Sequence, residues 1–334
     1  MNVGYVFDDG FVLPASVSIY SLLENNGHIH DLKLFVLDDN ISDNNKNLLQ
    51  SMVEKFDRVI EFVNVSKIKD KLSKTTKFNW HGSYSTYIRL MLNSIFHNCN
   101  DRIIMIDADT IVTGNIEALE LLDMKDNACA MALEAMPISY YIHSKLGMNK
   151  LVNGGLIVID LKKWSDVNAE QKIIDFIVNV REKNMLTDED VLSAVFKDKI
   201  SIIPPKYNFL AQYTCYSNKF FYKFFGWKKL YENNAFYSLD DLIEAKNDPV
   251  ILHCIDMHTN RPWHSNNNHP FSGLFDAYLV KTPWDKSDKK KKSMSTVAKI
   301  EIFLRKYLPK KLSDFYYACV LRLYYGIGAK KYYG

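Results

Sequence analysis

The chain has 334 residues, 47% of them apolar, and a formal net charge of +3. That length and apolar share accommodate one large α/β domain with an appendage, or two modest domains, and exclude global disorder. Five widely spaced cysteines, Cys99, Cys129, Cys215, Cys254 and Cys319, lie mostly in apolar runs, which argues for reduced core thiols and against a disulfide or zinc framework. The opening Met1 to Asp9 lacks a basic region and meets two acids early, so no signal peptide is expected, and no stretch reaches transmembrane length. Charge is unevenly spread. From Lys286 to Gly334, 13 Lys and Arg face 3 Asp and Glu, or +10, leaving residues 1–285 with 29 against 36, or −7.

In chain order, Val3 to Phe7 reads as a buried strand ending at Asp8-Asp9-Gly10, the layout that places ligands at the carboxyl ends of strands in open α/β sheets. Phe11 to Leu23 has apolar residues near helical spacing, with Pro14 early and Asn25-Asn26-Gly27 as its stop. Leu32 to Leu37 and Ile60 to Val65 are further strands, and between them Ser42 caps a helix running to about Phe56. Strands alternating with helices predict a mainly parallel sheet covered on both faces. Ser83 to Ile95 is predicted as a helix carrying Tyr84, Tyr87, Arg89 and Leu92, on which Arg89 read alone is an ordinary surface cation.

Ile103 to Ile106 is an unbroken branched apolar run, the pattern of a strand buried on both faces. Asp107 and Asp109 follow at its end, and if the extended conformation persists, residues two apart leave the same face. A turn cap plus a solvated acid would also account for a bare D-x-D. Four large apolar residues before the pair and Ile111-Val112 after it favour a divalent metal, Mn²⁺ or Mg²⁺, between the carboxylates.

Met131 to Glu134 is another strand, and Leu151 to Asp160 carries paired glycines ahead of a branched run, which predicts close approach of another backbone or a ligand. Leu161 starts a helix expected to reach about Glu182. Thr187 caps the next one, with Asp188, Glu189 and Asp190 in its first turn; three acids exceed what capping needs. Ile200 to Ile203 followed by Pro204-Pro205 and the Asn208-Phe209 pair reads as a strand entering a functional loop, residues 216–236 receive no assignment, and Val250 to Ile255 is a last strand running into Arg261-Pro-Trp263.

The pieces Val6-Phe7-Asp8-Asp9, Tyr87-Ile-Arg89, Asp107-Ala-Asp109, Asn153-Gly154-Gly155 with Asp160-Leu-Lys-Lys-Trp164, Asp188-Glu-Asp190, and His253 ahead of Arg261-Pro-Trp263 together resemble, in order and spacing, the retaining sugar-nucleotide transferases of glycosyltransferase family 8. They span residues 3 to 264. The resemblance implies a GT-A fold over residues 1–284, with a nucleotide-sugar half at about 1–115 and an acceptor half at about 116–284. It implies a UDP-glucose or UDP-galactose donor held through Mn²⁺, with Mg²⁺ as the alternative, by Asp107, Asp109 and His253. An imidazole beside two carboxylates suits Mn²⁺ better than the harder Mg²⁺. Donor contacts are implied for Asp8, Asp9, Phe11, Arg89, Ala108, Asn153, Gly154, Asp188 and Arg261, and a catalytic group of Glu189, Asp188, Asp190 and Arg89. The implied acceptor is a hydroxyl of a cell-surface glycan or glycolipid, with no nucleic-acid partner.

Three positions depart from the family pattern. Two extra residues and His258 separate His253 from Arg261, Gly10 stands where a polar residue often touches the ribose, and Glu189 replaces a usual glutamine. A nucleotidyltransferase is one rival reading, although Asp8-Asp9-Gly10-Phe11 is no Gly-rich phosphate loop; a non-catalytic sugar-binding homologue is another. Residues 285–334 form a basic, aromatic extension. Lys286 to Lys292 alone reads as a solvated linker, while Ile300, Phe303, Leu304, Tyr307 and Leu308 fall at helical spacing among basic residues. That pattern predicts a helix on the anionic inner face of the cell membrane, in a cytoplasmic protein. Packing on the catalytic domain or on a second copy is the competing expectation.

Overall fold

The computed structural model describes residues 1–75, 84–96, 101–135, 150–179, 187–216, 219–224, 227–255 and 260–309, with 311–313, 315–316, 319–320 and 323. Cys99, His258 and the last part of the predicted tail lie outside the described residues.

Among the described residues ten strands form two sheets: β1 Asn2–Phe7, β2 Lys33–Asp38, β3 Ile60–Asn64, β4 Arg102–Ile106, β5 Thr110–Val112, β6 Cys129–Leu133, β7 Val152–Asp160, β8 Ile200–Ile202, β9 Phe209–Leu210 and β10 Ile251–His253. The large sheet has the order β3-β2-β1-β4-β7-β6-β8, mixed but mostly parallel. Its one reversed strand is β7, antiparallel to both β4 and β6. The chain steps outward from β1 through β2 to β3 and then returns to place β4 on the other side of β1. The carboxyl ends of β1 and β4 therefore flank the point where strand order reverses, the usual ligand crevice of open α/β sheets. Ile104 and Ile106 of β4 are buried in the core on one face of the sheet and Ile103 and Met105 in the core on the other, as a strand covered on both faces requires.

A small sheet in the order β5-β10-β9 stands beyond that edge. The helix Val12–Asn25 completes it. Ser21 accepts the Val112 N–H at 2.9 Å, Asn25 donates to the Val112 carbonyl at 3.0 Å, and the Ser18 and Thr110 hydroxyls meet at 2.7 Å. These side chains serve the edge of β5 as a further strand would, so its backbone is satisfied inside the core.

Two predicted helices are broken. Residues 84–96 form single turns, Ser85–Ile88 and Leu92–Ile95, because the ion pairs of a buried Arg89 outweigh the weak helical preference of Tyr, Thr and Ile. The run after β7 splits into Leu161–Asp166 and Ala169–Asn179 at Asn168, whose φ of 52° is left-handed.

Candidate active site

Asp107 ends β4 and Asp109 precedes β5, but the extended conformation does not continue between them. They occupy a turn, closed by the Thr110 hydroxyl donating to the Asp107 carbonyl at 2.9 Å. The carboxylates converge because β4 and β5 belong to different sheets and the chain folds over at the junction. Opposite β5, β10 pairs antiparallel with His253 across from Thr110. His253 Nε2 thereby lies 3.2 Å from Asp109 Oδ1 and 3.8 Å from Asp107 Oδ2. One ligand atom from each of the three lies within 4.8 Å of the others, in a set of two carboxylates and an imidazole that fits a divalent transition metal.

The imidazole is oriented from behind. The Gly155 backbone N–H, which can only donate, meets Asn153 Oδ1 at 3.0 Å and so fixes that amide; Asn208 then donates its NH₂ to the same oxygen at 2.8 Å. Asn208 Oδ1 consequently faces His253 Nδ1 at 3.0 Å, with Asn153 Oδ1 at 3.2 Å. Two acceptors at Nδ1 hold a proton there, so Nε2 is the nitrogen that faces the aspartates and would bind a metal.

The paired glycines lie inside β7 rather than ahead of it, at a break in its register with β6 between Met131 and Ala132. What approaches them is side chain, not backbone: a methyl group on Gly154 would strike the Arg89 guanidinium, and one on Gly155 would strike His253 and Asn208. Arg89 is no surface cation but 4% exposed. It pairs with Asp107 and donates to Asp188 at 2.7 Å and to the Gly154 carbonyl at 2.9 Å. Burial opposes its charge, yet Asp107, Asp188 and Glu189 hold it protonated beyond the ordinary arginine range.

The acids differ in environment. Burial, with repulsion from Asp109, raises Asp107 against the pull of Arg89 and His253, whereas for Asp109 burial is outweighed by His253 and Arg261, which lower it. Burial also raises Asp188. Glu189 rises well above the glutamate range through burial and through Asp188 and Glu134, although its Oε1 accepts the Gly154 N–H at 2.6 Å. Asp190 instead closes the capping box of the helix Asp188–Phe196, accepting the Thr187 N–H at 2.9 Å.

At the other end of the crevice, Asp8 accepts the Gly10 N–H at 2.9 Å, and Asp9 takes Ser42 N–H and Asn45 Nδ2, both at 2.8 Å, tying the turn after β1 to the helix Asp43–Glu54. Phe11 is 41% exposed and meets Trp263 edge-on at 5.9 Å. Arg261 lies over the same indole at 5.3 Å and pairs with Asp109. Ala108 lies in the turn between the two aspartates and is buried.

Two neighbours of the site were not anticipated. Glu134 ends β6 and accepts from Asn153 Nδ2 at 2.8 Å, with its field reaching Glu189; an acid closing an apolar strand at the same sheet edge was the available signal. Asn208 lies in the stretch read as entering a functional loop, but its particular role beside His253 exists only across β7 and β10.

The sequence model of the family described as Glycosyl transferase family 8 matches residues 2–267. General stress protein A of Bacillus subtilis is 26% identical over 294 residues, covering 85% of this chain and 95% of that protein. A lipopolysaccharide 1,2-glucosyltransferase of Escherichia coli K12 is 24% identical over 299 residues, covering 88% of this chain and 82% of the relative. Among solved structures, the galactosyltransferase LgtC, in complex with donor and acceptor sugar analogs, superposes with a TM-score of 0.65 at 19% identity, over 85% of this chain and 96% of that one. That likeness extends to the fold.

Proposed function

The chain belongs to glycosyl transferase family 8, and on that premise we propose that it transfers glucose or galactose from a UDP-sugar, held through Mn²⁺, to a hydroxyl of a cell-surface glycan with retention at the anomeric carbon. The observation that carries this reading is the meeting of Asp107, Asp109 and His253 beside Arg261 at the strand-order reversal. Relatives named as lipopolysaccharide glucosyl- and galactosyltransferases support a hexose donor and a glycan acceptor.

When bound, the metal supplies positive charge for the departing diphosphate. Arg261 adds a fixed cation at the same point, preorganised by Trp263 and Asp109. Phe11, exposed beside Asp8, offers the uracil a face. Arg89 ties Asp107 to Asp188, so the metal-side and sugar-side carboxylates keep a constant separation. Asn153 and Asp188 then face the sugar hydroxyls, and Glu189 stands near the anomeric carbon, where the transition state is oxocarbenium-like. The exposed Ile300, Phe303 and Tyr307, with the basic excess of the tail, support attachment to an anionic membrane carrying a lipid-linked acceptor. Among the described residues no helix is long and apolar enough to cross a membrane.

UDP release from UDP-glucose and UDP-galactose, measured with and without Mn²⁺ for the wild type and Asp109→Asn, tests the reading. Mn²⁺-dependent UDP release, lost in Asp109→Asn, is expected. Pyrophosphate release from a nucleoside triphosphate would indicate nucleotidyl transfer, and binding of UDP-sugar without turnover on any acceptor would indicate a sugar-binding homologue.

A further inference from the structure

The lysine run after Trp284, which reads in sequence as a solvated linker, is built into the protein. Lys289 is 8% exposed. Lysine is almost never buried unless paired, and here its ammonium pairs with Asp276, donates to the Pro262 carbonyl at 2.8 Å and lies 5.2 Å from the centre of the Phe275 ring. Lys286 reaches the same Asp276 carboxylate at 3.0 Å. The backbone on either side is stitched to the loop it crosses. Ser265 N–H donates to the Lys290 carbonyl at 3.2 Å, Lys292 N–H to Asn266 Oδ1 at 3.0 Å, and Asn266 Nδ2 back to the Lys292 carbonyl at 2.8 Å.

Pro262 sits between Arg261 and Trp263, the side chains that meet Asp109 and Phe11. Phe275, beneath the ammonium, also touches Trp263, with ring centres 6.3 Å apart. The helix Ser272–Leu279 and residues 286–292 therefore grip this loop from two sides. On its far side the run places the charge of Lys290 towards the turn after β1. Asp9, held below the usual carboxylate range first by the Ser42 N–H and the Asn45 amide, also feels the charge of Lys290.

Resting on the UDP-sugar reading above, we propose that residues 286–292 are a wall of the donor site, with Lys289 as the positioning residue that sets Arg261 and Trp263 for the nucleotide diphosphate. Lys289 touches no reacting atom. Its contribution enters through the Pro262 carbonyl, so it acts on donor affinity first and on the departure of the diphosphate only through Arg261.

Full-length wild type, Lys289→Met, Lys289→Arg and Asp276→Asn are compared by calorimetric titration with UDP in the presence of Mn²⁺ and by steady-state kinetics with the UDP-sugar. Loss of a hydrogen-bonded charge predicts UDP binding weaker by about tenfold or more in Lys289→Met. Donor KM rises in parallel, any fall in kcat at saturation is smaller than the rise in KM, and Lys289→Arg recovers part of the loss. A Lys289→Met protein that melts like the wild type and binds UDP equally well overturns the proposal, as does a fall in kcat at unchanged KM. Should the Met variant not fold, Asp276→Asn, which keeps the volume but removes the charge that holds the ammonium on the Pro262 carbonyl, decides by the same readouts: a raised donor KM supports the assignment and an unchanged one overturns it. Absence of UDP binding by the wild type itself would remove the donor reading and this proposal together, and is recognised by appearing without any substitution.

Discussion

His253 and Asp109 come within 3.2 Å because β10 lies antiparallel on β5 with His253 opposite Thr110. A slip of one residue in that pairing would turn the imidazole to the other face of the strand. The Cys254 N–H donating to the Asp109 carbonyl at 2.8 Å continues that pairing past His253, while Ser18 and Ser21 of the helix Val12–Asn25 hold β5 itself in place.

Asn208 gives the first prediction. With its acceptor removed, the Nδ1 proton of His253 loses its nearer partner, and outer partners of metal ligands typically contribute about 10–100-fold in affinity. Asn208→Ala should weaken Mn²⁺ binding by about that factor, measured by calorimetry, while Asn208→Asp, which keeps an acceptor, should recover most of it. Equal Mn²⁺ affinity in wild type and Asn208→Ala would show that the imidazole is oriented by other means.

Gly154 tests the packing of the site. A methyl group there meets the Arg89 guanidinium, which is pinned by Asp107, Asp188 and the Gly154 carbonyl and has nowhere to retreat. Overpacking of this kind costs about 1–3 kcal/mol, so Gly154→Ala should lower the urea midpoint and reduce transfer together. A variant as stable as the wild type would mean that Arg89 can move, contrary to its being locked.

Glu189 should make both rate and stability depend on pH. A carboxyl whose folded pKa lies above its unfolded value takes up protons on folding, so its contribution to stability is whole at low pH and shrinks as pH rises from the ordinary glutamate range through the folded value. Glu189→Gln removes that loss, and its melting temperature relative to wild type should rise with increasing pH. If ionised Glu189 takes part in transfer, kcat of the wild type falls on acidification through the same raised pKa, and the glutamine variant lacks that limb. Coinciding pH profiles of rate and melting temperature in the two proteins would exclude both effects.

The tail is packed in one part and exposed in another. Ala298 and Ser313 are buried and Phe315 meets Phe224 at 5.7 Å, yet Ile300, Phe303 and Tyr307 of the helix Thr296–Tyr307 are 43%, 59% and 62% exposed. A full-length protein with these three changed to serine should lose cosedimentation with anionic liposomes in low salt while keeping donor turnover on a soluble acceptor. Undiminished cosedimentation would assign the exposed face to another partner.

The sequence by itself determined the order of strands and helices, the expectation of a ligand at the carboxyl ends of the strands, the Ser42 and Thr187 caps and the acid pair after β4. These are local: each follows from hydrophobic period, capping chemistry or a short run of residues, which neighbours in the chain decide among themselves. The resemblance of the spaced motifs also named the family. Tertiary structure decided the rest. Asp107 and Asp109 converge through a turn between two sheets, not along one strand; Arg89 is buried, although its own helix gave it a surface position; Lys289 is buried within a run of charge that has no local reason to leave water. Asn208 and Glu134 enter only because β7 bulges at Gly154 and Gly155 and lets side chains from other elements close on it. Each of these placements depends on burying one charge or amide against a partner distant in the chain, and that balance between desolvation and pairing has no signature in the sequence beside it.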